Sequence, residues 1–183
     1  AAEGCGDLPP PLVRCAPLWD HERDREPWRL GGNSGATVCG DLDNDGDLDL
    51  LTTEIRHWWA GSGADGSEVL LNDGSAVFTR PGDEALGLAI DHASPGSDEG
   101  HMTAALFDFD NDGWLDIYIG GSDYAGNRGL LYRNRGAEPL GFDEVPPADG
   151  IDHHRSHGVV QADFDRDGDL DVVVGHSRER CDA

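Results

Sequence analysis

The stretch Asp41-Leu42-Asp43-Asn44-Asp45-Gly46-Asp47-Leu48-Asp49 returns in pattern as Asp108-Phe109-Asp110-Asn111-Asp112-Gly113-Trp114-Leu115-Asp116 and as Asp163-Phe164-Asp165-Arg166-Asp167-Gly168-Asp169-Leu170-Asp171. Each copy reads D-x-D-x-D-G-x-x-D, so the acidic residues fall in register instead of forming a diffuse solvated coat. A hard cation such as Ca²⁺ takes about six to eight oxygen ligands, and a tight loop can aim alternate side chains at it. Aspartates at positions one, three and five do this. Glycine at position six permits a turn that a Cβ would resist, position seven offers its main-chain carbonyl, and the aspartate at position nine closes the shell. The expected ligands are therefore Asp41, Asp43, Asp45, Asp47 and Asp49; Asp108, Asp110, Asp112, Trp114 and Asp116; and Asp163, Asp165, Asp167, Asp169 and Asp171. Asp47, Trp114 and Asp169 act through the main chain. Three Ca²⁺ sites follow, Mg²⁺ being disfavoured because it demands a stricter octahedron with more retained water.

These loops are not EF-hands. Position twelve, which would need a bidentate Glu, is Thr52, Ile119 or Val174. The residues from position eight onward, Leu48 to Leu51, Leu115 to Ile119 and Leu170 to Val174, are apolar apart from the aspartate at position nine and include β-branched residues in the second and third copies, as suits strands. Ala36 to Cys39, Thr103 to Phe107 and Gly158 to Ala162 supply a short strand before each loop. Each ion is thus expected to staple a hairpin. Dockerin-type and thrombospondin-type calcium repeats set their loops much closer together than the spacing here.

Composition agrees with a protein that needs such staples. The 183 residues carry 13 Lys and Arg against 37 Asp and Glu, a formal charge of −24. That excludes nucleic-acid binding by phosphate neutralisation. No apolar run approaches the roughly 20 residues of a membrane-spanning helix. The 26 Gly and 10 Pro favour short strands and turns. Four cysteines, Cys5, Cys15, Cys39 and Cys181, fit an oxidising compartment; they allow three pairings, of which Cys5 with Cys15 closes the shortest loop. Ala1-Ala2-Glu3 suits an end left by signal-peptide cleavage, so the expected location is secreted or cell-surface, the periplasm included.

The repeat extends beyond the loop. Leu70-Leu71-Asn72-Asp73-Gly74 followed by Val77-Phe78, and Leu130-Leu131-Tyr132-Arg133-Asn134 followed by Gly141-Phe142, read as a third strand, a turn and a fourth strand. Ile90-Asp91-His92 and Ile151-Asp152-His153 close the two units. Four strands per unit predict an all-β fold of antiparallel, four-stranded blades of β-propeller type, with Ca²⁺ loops between the first and second strands. Blade one spans about 35–90, blade two about 102–151, and a partial blade three about 157–178. Residues 1–34 form an N-terminal arm or cap, and 179–183 a tail.

With these motifs the chain resembles the FG-GAP/VCBS repeat family, the integrin-type calcium blades, and most closely its bacterial and cartilage-acidic-protein-like branch. The resemblance covers about 35–178. It implies a β-propeller with Ca²⁺ between the first two strands of each blade, in a secreted or surface protein. The family's usual propeller has about seven blades, so two and a half leave strand edges open. Missing blades of a longer chain, self-association or self-capping would resolve this, and self-association is favoured over a stable lone monomer.

The remaining constellations are weaker. His153, His154 and His157 have a spacing at which imidazoles can share a transition metal, yet His92 and His153 occupy matching repeat positions, which suits a blade junction. Trp58-Trp59 suits a sugar ring or self-packing. No G-x-S-x-G or H-E-x-x-H motif is present, and no enzyme is expected. The expected function is a secreted calcium-binding β-repeat protein with a structural, adhesive or self-assembly role. The alternative is a carbohydrate-binding propeller module, alone or attached to an extracellular enzyme, and the expected partner is a glycan, a protein or a second copy.

Overall fold

Each acidic motif joins two strands, as its flanking residues require. The structure, a computed structural model, describes residues 33–56, 66–90, 99–122, 128–151, 153 and 155–176. Residues 1–32 of the expected 1–34 arm, Trp58 and Trp59, His92, His154, the tail, and Cys5, Cys15 and Cys181 lie outside the described residues. Cys39 is exposed and free.

Strands β1 (Asn33–Gly40), β2 (Asp49–Arg56), β3 (Glu68–Asn72) and β4 (Phe78–Thr79) pair consecutively and antiparallel. The same order recurs in β5 (Glu99–Phe107), β6 (Asp116–Gly121), β7 (Leu130–Asn134) and β8 (Phe142–Glu144). A final pair, β9 (Ser156–Ala162) and β10 (Asp171–His176), forms a separate two-stranded sheet. The architecture is antiparallel and nearly all-β, consistent with part of a β-propeller.

Two features were not legible in advance. The ends of β2 and β5 pair through Ile55 with Gly100 and Arg56 with Glu99, which fuses the first two runs into one eight-stranded sheet. A single helical turn, α1 (Asp83–Leu86), follows β4 and tucks Leu86 into the core. It is bracketed by Gly82 and Gly87, the latter at φ 74°, a left-handed stop that glycine adopts without strain.

Each first hairpin also shifts register at the end away from its acidic loop, between Ser34 and Thr37, between His101 and Thr103, and between Gly175 and His176. These are equivalent repeat positions, and a bulge there adds twist to the strands.

Packing follows the order of the chain. One apolar cluster, including Leu51, Val69, Ile117, Ile119 and Tyr132, lies between the first and second runs. A second, centred on Ala105, Phe107, Tyr118 and Leu131, meets Val159, Val172 and Val174 of the last pair. Strand β6 lies between these clusters and is buried at every residue, which explains its unbroken Ile-Tyr-Ile run.

Tyr118 Oη and Ser156 Oγ, 2.9 Å apart, join the second run to β9, and both residues are buried. Beside them, a Cβ on Gly120 would overlap Thr103 Cγ2 and lie 2.5 Å from Ser156 Cβ. Gly120→Ala is therefore expected to destabilise the protein by about 1–3 kcal/mol through overpacking. Gly158→Ala, where a Cβ meets nothing within 4 Å, is the matched control. Urea denaturation of the two variants checks this, and equal midpoints would contradict the packing described.

Candidate metal centres

All three loops share one backbone. The carboxylate at position one accepts the N–H groups of positions five and six: Asp41 from Asp45 and Gly46 at 3.1 and 3.0 Å, Asp108 from Asp112 and Gly113 at 3.0 and 2.8 Å, and Asp163 from Asp167 and Gly168 at 3.1 Å each. The carboxylate at position five accepts the N–H of position seven in each loop, at 2.9, 3.0 and 3.0 Å. Position four is left-handed, with φ 56° at Asn44, 58° at Asn111 and 66° at Arg166. Position six follows with φ 96°, 91° and 102°. Because a Cβ on any of these three glycines would meet nothing within 4 Å, the need for glycine is conformational and not a matter of space.

Position nine has a duty that its spacing hides. Asp49 is fully buried and accepts the Leu42 N–H on one oxygen and the Asn72 N–H on the other, both at 2.9 Å. Asp116, equally buried, accepts from Phe109 at 2.9 Å and Asn134 at 2.8 Å. Each carboxylate thus ties its own loop to the third strand of its run. The strand returns the bond: Asn72 Nδ2 donates to Leu48 O at 3.2 Å, and Asn134 Nδ2 to Leu115 O at 3.1 Å and across to Leu42 O at 2.9 Å. Asp171 accepts the Phe164 N–H at 3.0 Å but is exposed, and no third strand follows β10 among the described residues.

Carboxylate oxygens converge in every loop. Asp41, Asp43 and Asp45 each offer one oxygen within 4.8 Å of the others, as do Asp108, Asp110 and Asp116, and Asp163, Asp165 and Asp171. Each oxygen has two lone pairs, so one that accepts an N–H keeps a second for a cation. An all-oxygen anionic donor set fits a hard divalent ion and not a thiophilic one. The charge is also costly without a cation. Burial first, then the like charges of Asp110 and Asp112, push the Asp116 carboxyl up to about 6 against the pull of its two N–H donors. Burial raises Asp49, and burial with the Asp49 charge raises Asp43.

The second loop also has a fixed cation that the sequence reading did not single out: Arg133 Nε lies 2.6 Å from Asp110 Oδ2, and its Nη2 3.6 Å from Asp112 Oδ2.

Successive loops touch through position four. Asn44 Nδ2 donates to Gly113 O at 3.2 Å, and Asn111 Nδ2 to Asp169 Oδ1 at 2.7 Å. At position seven the side chains diverge. Asp47 lies against Gly74 and Trp114 against Gly136, both glycines having positive φ. Of the three histidines singled out in the sequence, His153 Nδ1 lies 3.5 Å from Ser156 Oγ, and His157 is exposed. A buried pair not foreseen, Ser67 Oγ with His101 Nδ1 at 2.8 Å, lies where β3 begins.

A protein-family model described as FG-GAP-like repeat matches the chain at residues 41–119 and again at 108–174. Each match starts on the first aspartate of one loop and runs through the next loop into its second strand. Together they span about three-quarters of the sequence.

Removing a buried carboxylate that holds two backbone N–H groups forfeits two charge-assisted bonds. Asp49→Ala and Asp116→Ala are each expected to cost about 3 kcal/mol by that reasoning, and Asp171→Ala under about 1 kcal/mol. Chemical denaturation in the presence of chelator reads this difference. For pH, the Asp116 pKa of about 6 lies above its ordinary 3.8, so the folded chain binds this proton more tightly than the unfolded chain. The stability it contributes is complete below about pH 4 and lost as pH rises through about 6. The melting temperature of chelated protein should therefore fall between about pH 4 and pH 6 and level off above. Saturating Ca²⁺, which favours the carboxylate, should abolish or reverse that fall.

Proposed function

Because the chain belongs to the FG-GAP-like repeat family, we propose that it is a secreted calcium-binding β-repeat protein with a structural, adhesive or self-assembly role and no catalysis of its own. The observation that carries this is the threefold recurrence of one loop backbone that converges three carboxylate oxygens within 4.8 Å. Asp41, Asp43, Asp45 and Asp49 would hold the first ion, Asp108, Asp110, Asp112 and Asp116 the second, and Asp163, Asp165, Asp167 and Asp171 the third. The main-chain carbonyls of Asp47, Trp114 and Asp169 complete the ligand sets. Bound Ca²⁺ supplies the positive charge that lets these carboxylates stay ionised and close together.

Metal binding of this kind is coupled to folding, because the ligands converge only when the hairpin forms. The exposed trio of the third loop has less of a preformed frame than the second, where Asp116 is anchored on β7. Secretion is supported by the family, whose repeats are usually extracellular, and by the even number of four cysteines. No helix among the described residues is long and apolar enough to cross a membrane.

Calorimetric titration of Ca²⁺ into chelator-treated full-length protein tests the reading. Three sites are expected, with dissociation constants of roughly 10⁻⁴ to 10⁻³ M, as in extracellular modules. At 1 mM Ca²⁺, about one to ten times these dissociation constants, each site stabilises by about 0.4–1.4 kcal/mol, so the melting temperature should climb steadily through the millimolar range. Asp43→Ala should remove one site and leave two. No binding heat and no change in melting temperature at millimolar Ca²⁺ would defeat the proposal.

A further inference from the structure

Neighbouring repeats stack by one rule, and the rule leaves two complementary faces open. Three residues before, one after and ten after the first aspartate of each loop stand Val38, Leu42 and Leu51 in the first repeat, and Ala105, Phe109 and Tyr118 in the second. The first set packs in the cluster toward the second repeat, and the second set in the cluster toward the third. In the third repeat the same positions are Val160, Phe164 and Val173, which are 53 %, 57 % and 55 % exposed. An apolar face that is core in two repeats lies bare in the last.

The opposite face behaves in mirror fashion. Leu106, Leu115 and Ile117 carry the second repeat against the first. Their counterparts in the first repeat are Cys39, Leu48 and Leu50. Cys39 is exposed, Leu48 is 58 % exposed and Leu50 half-buried. The loop edge supplies matching charge. Position four donates to the following loop in both internal junctions, in the second case to the carboxylate of Asp169 at position seven. In the third repeat position four is the exposed cation Arg166, and position seven of the first loop is the carboxylate Asp47.

We propose that the bare face of the third repeat docks on the open face of the first repeat of a second copy of this chain, head to tail, with Arg166 of one copy paired to Asp47 of the next. The proposal deepens the self-assembly role given above and rests on it. Since the two faces differ, the contact is heterologous, and it propagates into a ring or filament and not a closed two-fold dimer.

The internal junction also supplies the test. A Cβ built on Gly40 would stand 3.6 Å from Leu106 Cβ, within the roughly 3.5–4.5 Å that a disulfide needs. The counterparts of Gly40 and Leu106 across the proposed contact are Ala162 and Cys39. Full-length Ala162→Cys protein in Ca²⁺, mildly oxidised, should form a ladder of covalent oligomers that vanishes on reduction and in the Ala162→Cys, Cys39→Ser double variant. By light scattering, the unmodified protein should gain mass with concentration. Arg166→Glu should shift that gain to at least ten-fold higher concentration, and Arg166→Glu with Asp47→Arg should bring it back. Unmodified protein that stays monomeric throughout would overturn the self-assembly role together with this contact, its faces being covered by the rest of its own chain. Concentration-dependent assembly without a Cys39-dependent ladder would overturn the head-to-tail contact alone.

Discussion

A buried carboxylate with both oxygens committed to backbone N–H groups is the constraint on which the two complete repeats depend. Asp49 and Asp116 each open a second strand, and from there each grips the loop behind it and the third strand beside it. Leaving such a group unsatisfied away from water costs several times what an exposed hydrogen bond contributes, so the partners must arrive together or not at all. Loop shape, strand pairing and the placing of the candidate ligands are therefore one event. Hairpin and metal centre are not separable parts of this molecule.

The third repeat, which among the described residues shows only half of that constraint, reveals what it supplies. Its loop repeats the dihedrals and internal hydrogen bonds of the other two, so these belong to the nine residues themselves. Burial does not follow, and Asp163, Asp165 and Asp171 all remain exposed. Local sequence shapes the loop, whereas neighbouring strands and neighbouring repeats remove it from water. The middle repeat, with a neighbour on either side, carries both the fully buried strand and the most strongly raised aspartate.

Much of the fold was legible in the sequence because its signals are local. The alternating aspartates, the glycine at position six and the β-branched runs after position eight each act within a few residues. The order of ten strands follows from them. Long-range relations were not legible. The partners of Asp49 and Asp116 on the third strand lie 23 and 18 residues away, and the asparagine links between loops span 69 and 58 residues. Nothing in the spacing of a nine-residue motif marks position nine as a backbone acceptor or position four as a connector. The helical turn at Asp83–Leu86 is too short to show a period, and the β2–β5 seam rests on two residue pairs at the ends of the strands. Arg133 stands within a turn signal, and its role beside Asp110 depends on β7 lying next to the loop.

The enclosure of β6 on both faces sets a gradient along the molecule. In a stack where each layer leans only on its neighbours, protection of backbone amides is greatest in the layer with two neighbours and falls toward the ends. The Ile117 to Ile119 amides then exchange with solvent only in the rarest and largest openings, while those of β10 exchange through frequent local ones. Among the described residues the stack is thus graded in permanence, most lasting where a strand is enclosed on both faces and least where it has a neighbour on one face alone.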